Sequence, residues 1–210
     1  MNAEAVRQYV EKMYPRQYFS VVDGGKLIGD WGNVAEHCCI QVVAVETLAD
    51  LLGLPKHDKI ALAEVAACHD WSKRLEKRPG DFTDVEVARA YRLFSYAAPD
   101  KALIAALGPS FLLRAVSGQA TFLEMIQFLV DDMALGGKIV SSDERIDEVS
   151  ARNPSPSPEV EEKLGRPYWD VEREMAQLAE AVVYSIFMMR RIPGDIAGAI
   201  NAQLEKRFPG

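Results

Sequence analysis

The stretch that decides the fold is Ile60-Ala61-Leu62-Ala63-Glu64-Val65-Ala66-Ala67-Cys68, followed at once by His69-Asp70. Nine residues carry a single charge, Glu64, and no breaker. A run that is apolar nearly all round reads as a central, buried helix rather than a surface one. His57-Asp58 opens it, with Asp58 as the expected N-cap. Upstream, His37, Ile40, Ala44, Thr47, Leu48 and Leu51 recur at helical spacing, which predicts a long helix from about Val34 to Leu52. Gly53 and Pro55 stop it.

Further out the same period dominates. Val6, Tyr9, Val10 and Met13 share a face of a first helix over Ala3 to Tyr14, ended by Pro15. Tyr18 to Val22 reads as a short strand or extended connector, closed by Asp23-Gly24-Gly25. Beyond the polar stretch Lys73 to Asp84, helical patterns resume at Val85–Tyr96, Lys101–Leu107 and Ser110–Val116. Thr121 and Glu124 form a capping box ahead of Phe122, Met125, Ile126, Leu129, Val130 and Met133. Gly136-Gly137 ends that helix. Asn153-Pro154-Ser155-Pro156-Ser157-Pro158 is an extended run. A long helix over Asp170 to Arg190 follows, with Val171, Met175, Leu178, Ala181, Val182, Ile186 and Met189 as its apolar face. The Met188-Met189 pair reads as core packing. A last helix covers Asp195 to Lys206. Convincing strands are absent, so the fold class is all-α. Residues 1–210 read as one domain, with the C-terminal helices over 170–207 packed on its core.

Composition narrows the function. The chain has 210 residues, with 24 Lys and Arg against 31 Asp and Glu, a net charge of −7. An acidic chain lacks the electrostatic footprint of a nucleic-acid binder. Its three cysteines, Cys38, Cys39 and Cys68, are odd in number and two are adjacent, which is no disulfide framework. They read as reduced, buried thiols in a cytoplasmic protein. No apolar run reaches the length of a membrane span, and the N-terminus has no signal-peptide character. No internal repeat is visible.

The residues that carry chemistry are His37, the pair His69-Asp70 32 residues on, and Asp131-Asp132, whose second member lies 62 residues beyond Asp70. A buried histidine beside a carboxylate is costly unless the two are paired or bound to a cation. Two imidazoles and two carboxylates suit Mn, Fe, Co, Ni or Zn, and Mg less well. Taken singly these signals are weak. A His-Asp dipeptide usually marks a helix end, and a lone His37 is more often a hydrogen-bonded core residue. Both histidines, however, fall on apolar helix faces, and Asp131-Asp132 interrupts a third. His57, in a Lys-His-Asp-Lys run, reads as surface.

Trp31-Gly32-Asn33-Val34-Ala35-Glu36-His37, Ala66-Ala67-Cys68-His69-Asp70-Trp71-Ser72-Lys73 and Phe128-Leu129-Val130-Asp131-Asp132-Met133 together resemble the HD-domain superfamily of metal-dependent phosphohydrolases. The resemblance covers about residues 31–147. It implies an all-α, HD-like helical bundle with one divalent metal held by His37, His69, Asp70 and one of the last two aspartates. Asp132 is the better match to the family pattern, with Asp131 as the alternative. Histidines that accompany a second metal in some members are missing: none lies between Asp70 and Asp132, so a single-metal site is expected. By the same analogy Lys73 contacts phosphate or stabilises the transition state, against the plainer reading of a solvated lysine. Arg145 is a candidate for substrate binding, or an ion pair with neighbouring acids. Arg89 and Arg92 are weaker candidates for the cleft. Glu36 reads as surface or as a support for His37. Trp31 and Trp71 read as packing or as a base-stacking pair.

The resulting expectation is a phosphohydrolase acting on a small phosphorylated molecule, plausibly a nucleotide, through a metal-activated water that Asp70 helps position or deprotonate. Nucleic acid and membranes are not expected partners, and the oligomeric state stays open. The alternative is a catalytically weak HD-type regulatory module that binds a metal or nucleotide.

Overall fold

Every residue from Cys38 to Ala49 is buried. Among these twelve only Gln41, Glu46 and Thr47 are polar, and each has a partner. Thr47 Oγ1 donates to Val43 O at 2.7 Å, and Glu46 Oε2 accepts from Arg207 Nη1 at 2.6 Å. A helix without a polar face must be surrounded, and this one is. The computed structural model describes residues 2–13, 22–23, 26–27, 32–70, 83–85, 88, 103 and 108–208. Within it the central element is α2 (Gly32–Leu52). It packs against α1 (Ala3–Met13), α3 (Lys56–Cys68), α5 (Phe122–Asp131), α8 (Tyr168–Arg190) and α9 (Ile196–Arg207). Helix α3 is buried as expected at Leu62, Ala63 and Val65 to Cys68, but the element at the centre of the packing is α2. Ile60 on α3 is nearly half exposed, so α3 has an outer side.

The fold is all-α. Between α3 and α5 lies α4 (Pro109–Val116); α6 (Ser142–Arg152) and α7 (Pro158–Leu164) precede α8. Among the described residues the strands are confined to two antiparallel ribbons, each pairing two residues with two. In the first, β1 (Val22–Asp23) pairs with β2 (Lys26–Leu27). In the second, β3 (Ala134–Leu135) pairs with β4 (Lys138–Ile139). Gly136-Gly137, read as a helix stop, is the turn of this second ribbon. Gly136 adopts φ +59°, which glycine takes without strain. The helices expected over 85–96 and 101–107 lie outside the described residues except at Val85, Ala88 and Leu103, which are helical. The connector at 18–21 and the polar stretch over 73–82 also lie outside them.

Local signals set most helix ends. Thr121 and Glu124 make the expected capping box, each side chain bonded to the other's backbone N–H. Asp195 caps α9 through Gly198 N at 2.6 Å. Gly53, at φ +63°, closes α2. Asp58 does not cap α3: the helix starts at Lys56 after Pro55, and Asp58 sits in its first turn, where a negative charge still favours the dipole.

Two apolar cores result. The larger gathers Val6 and Val10 of α1, the length of α2, Leu62, Ala66 and Ala67 of α3, and Ile126, Leu129 and Val130 of α5; α8 adds Ala179, Val183 and Phe187, and α9 adds Ile196, Ile200 and Leu204. The smaller contains Phe111, Phe128, Ile146, Val160, Val171 and Met175. Helices α5 and α8 serve both. On α8 the structure corrects the sequence reading. Val171 and Met175 are buried as expected, but Leu178, Ala181, Val182 and the Met188-Met189 pair are exposed. Ala176, Ala179, Val183 and Phe187 face inward instead. No helix among the described residues is long and apolar enough to cross a membrane.

Candidate metal centre

Three helices deliver the site. His37 is in the second turn of α2, His69 and Asp70 follow the last turn of α3, and Asp131 ends α5. Ligand atoms of His37, His69 and Asp70 all lie within 4.8 Å of one another. The two imidazole Nε2 atoms are 3.3 Å apart. Asp131 Oδ1 stands 3.1 Å from His37 Nε2 and 3.5 Å from His69 Nε2. Asp70 is slightly further off, its two oxygens 3.8 Å from His37 Nε2 and 3.7 Å from His69 Nε2.

These spacings fit a shared cation. Two nitrogens each about 2.0–2.1 Å from one tetrahedral ion are roughly 3.3 Å apart. Two bare imidazole lone pairs would repel at the same distance. Tautomer supports the fit. His69 Nδ1 lies 3.0 Å from Ala66 O; a carbonyl only accepts, so Nδ1 carries the proton and neutral His69 presents a bare Nε2 to the cluster.

The electrostatics call for positive charge. Burial pulls the His69 imidazole down, but the Asp70 charge, the Asp131 hydrogen bond and the Cys38 thiol outweigh it and hold His69 well above its ordinary range. Burial pushes the Asp131 carboxyl up, yet hydrogen bonds and charge from His37 and His69 hold it well below the usual carboxylate range. The Asp131 carboxylate thus stays ionised and draws a cation toward the imidazoles, whether a proton or a metal.

Asp132, the sequence-preferred ligand, is not part of this cluster. Adjacent helical residues point about 100° apart, and α5 ends so that Asp131 faces the histidines while Asp132 faces α8. There burial, then repulsion from Glu172 and Asp131, push the Asp132 carboxyl well above its usual range. Burial raises Glu172 to about 7, with Tyr168, Asp132 and Arg145 nearby. A buried carboxyl that favours its proton is a poor ligand. Arg145 is beside this second group and pairs with Glu148 at 3.1 Å. Lys73, Arg89, Arg92, Trp31 and Trp71 lie outside the described residues. Glu36 is exposed. His57 is 81% exposed and pairs with Asp58 at 3.1 Å. The three cysteines are buried.

Two glutamines complete the site and were not singled out from the sequence. Gln41, one turn after His37, directs Nε2 to His37 Nε2 at 2.9 Å and donates to Asp131 Oδ1 at 2.5 Å. Its Oε1 accepts from Gln127 Nε2 at 2.8 Å. Both glutamines are 0% exposed. The available signal was their spacing: His37–Gln41 and Gln127–Asp131 are each i,i+4 pairs on otherwise apolar faces.

The chain matches no family model, no curated protein and no solved structure.

Proposed function

We propose that the chain is a metal-dependent phosphohydrolase acting on a small phosphorylated substrate, with a nucleotide as the first class to test. The observation that carries this reading is the convergence of His37, His69 and Asp70 with Asp131 Oδ1, at spacings suited to one divalent ion. The H…HD…D resemblance supplies the reaction class. His37, His69, Asp70 and Asp131 would hold the ion, and the two imidazoles favour Mn, Fe, Co, Ni or Zn over Mg. Such an ion supplies Lewis acidity and lowers the pKa of water.

The chain's own residues do the rest. Ala66 O fixes the His69 tautomer. Gln41 holds Asp131 Oδ1 and keeps it oriented. Asp70, with its side chain 14% exposed, is buried enough to be positioned and open enough to orient or take a proton from an attacking water. Lys73, three residues on, is assigned to the developing charge on phosphoryl oxygens.

The test is phosphate release from a panel of nucleoside mono-, di- and triphosphates and simple phosphomonoesters. The protein is loaded in turn with Mn, Fe, Co, Ni and Zn. The expected result is turnover with at least one metal, abolished in Asp70→Asn and His69→Ala while the helical circular-dichroism spectrum is retained. Tight metal binding without turnover on any substrate would instead favour the regulatory, metal- or nucleotide-binding module.

A further inference from the structure

Gln41 lies one turn beyond His37 on α2. Side chains at i and i+4 of a helix reach one ion from the same face, the spacing that paired histidines use in helical zinc sites. The Gln41 amide is already at the cluster. Its Nε2 stands 2.9 Å from His37 Nε2 and 2.5 Å from Asp131 Oδ1, and the residue is fully buried. Both neighbours are atoms whose lone pairs an ion requires. An amide N–H directed at them competes with the ion, because the nitrogen donates and does not accept. The amide oxygen has the opposite character. It carries two lone pairs, and carbonyl oxygen is a suitable ligand for Mn and other hard divalent ions.

Given the metal centre proposed above, we infer that Gln41 is a fifth ligand of the ion, joining His37, His69, Asp70 and Asp131 through its amide oxygen. A half-turn about the last side-chain bond exchanges Oε1 and Nε2 while the carbon skeleton stays in place. The oxygen then stands about 2.9 Å from His37 Nε2, the separation of two donors about 90° apart on an ion at 2.0–2.1 Å. The contact to Asp131 Oδ1 opens by about 0.4 Å to match.

Gln127 permits the turn. Its Nε2 donates to Gln41 Oε1 at 2.8 Å, while its own Oε1 is buried and has no hydrogen-bond partner among the described residues. None of those residues therefore holds that oxygen in place. When both amides turn, the bond between them runs from Gln41 Nε2 to Gln127 Oε1. Without an ion, Gln41 steadies Asp131 by donating to it; with one, it shares the ion with Asp131. Three oxygens and two imidazole nitrogens exceed the four donors of tetrahedral zinc, and they favour a metal that takes five or six, such as Mn or Fe(II).

The test compares Mn(II) and Zn(II) dissociation constants for the full chain as wild type, Gln41→Leu and Gln41→Glu. Losing the hydrogen-bonded support of a ligand costs about 10–100-fold in affinity. A loss of that size, equal for both metals in Gln41→Leu, would mark a supporting role and overturn the inference. Ligation predicts a selective loss instead, with Mn weakened at least about 10-fold more than Zn, which four donors satisfy. Gln41→Glu separates the roles from the other side. Its carboxylate cannot donate to Asp131 but can ligate, so Mn should bind at least as tightly as to wild type. A loss equal to that of Gln41→Leu would overturn the inference. Should either variant lose the helical circular-dichroism spectrum, a crystal structure of wild type loaded with Mn decides. Gln41 Oε1 at about 2.0–2.3 Å from the ion supports ligation, and an amide beyond about 3 Å refutes it. Each of these failures leaves the metal centre standing, because wild type still binds. Wild type that binds neither metal would overturn the metal centre itself, and the role of Gln41 with it.

Discussion

Gln41→Leu separates the polar support of the site from its apolar surroundings. The leucine is of similar volume and the position is fully buried, so packing changes little. Three polar contacts are lost: to Asp131 Oδ1 at 2.5 Å, to His37 Nε2 at 2.9 Å and from Gln127 Nε2 at 2.8 Å. The bond to an ionised Asp131 is worth about 1.5–3 kcal/mol. Gln127 is left in a worse position. Its Oε1 already lacks a hydrogen-bond partner among the described residues, and Nε2 now loses its acceptor. A buried unsatisfied amide costs about 1–3 kcal/mol. The sum is a loss of roughly 3–5 kcal/mol, or a fall of about 10 °C in Tm for a chain of this size. Adding Gln127→Leu removes the orphaned amide, so the double variant should recover about 1–3 kcal/mol relative to the single one. Urea unfolding of metal-free wild type, both single variants and the double variant measures the cycle. A loss below about 1 kcal/mol in Gln41→Leu, or a double variant less stable than Gln41→Leu alone, would refute the reasoning.

Other outcomes follow from the same structure. Thr121→Ala removes the N-cap of α5 and should cost about 1 kcal/mol in chemical denaturation. Glu124 gives a pH signature. Burial acts to raise its carboxyl, but hydrogen bonds from Arg114 and Thr121 overcome this and hold it below 4.5. Its contribution is therefore present above pH 4.5 and fades as pH falls through the lower folded-state value; Glu124→Gln should flatten the acid limb of the stability curve, measured by urea midpoints between about pH 3 and 5. Asn201 pairs with both backbone groups of Ile139, at 2.9 and 2.7 Å, and so ties α9 to the β3–β4 ribbon. Asn201→Ala leaves a buried N–H and C=O unpaired and should cost about 2–4 kcal/mol, with faster amide exchange at Ile139.

What could be read in the sequence was local. The Thr121–Glu124 box, the Gly53 stop and the Asp195 start depend on neighbours within a turn, and all three match the structure. The grouping of His37 with His69-Asp70 was also legible, because each histidine sits on an apolar helix face that has to be buried. Choices set by tertiary packing were not. Helical period does not separate the neighbours Asp131 and Asp132, and the family pattern favours Asp132; Glu172 and Tyr168 on α8 take up Asp132, which leaves Asp131 to the histidines. On α8 two apolar faces compete. The one carrying Leu178, Val182 and Met189 is as hydrophobic as the one carrying Met175, Val183 and Phe187, and periodicity cannot say which meets α2. Helix α6 leaves little trace in the sequence because its apolar contribution is small, with Ser142 and Ile146 its only buried residues. Helix α7 followed a Pro/Ser run that reads as extended chain.

The central claim is that one ion is held by His37, His69, Asp70 and Asp131. Metal content by plasma mass spectrometry, on untagged protein purified without chelator, tests it most directly. Wild type and Asp132→Asn should each carry about one transition metal per chain, and Asp131→Asn and His69→Ala should lose it. No metal in wild type, even after incubation with Mn, Co, Ni or Zn, would contradict the account, as would loss in Asp132→Asn with retention in Asp131→Asn.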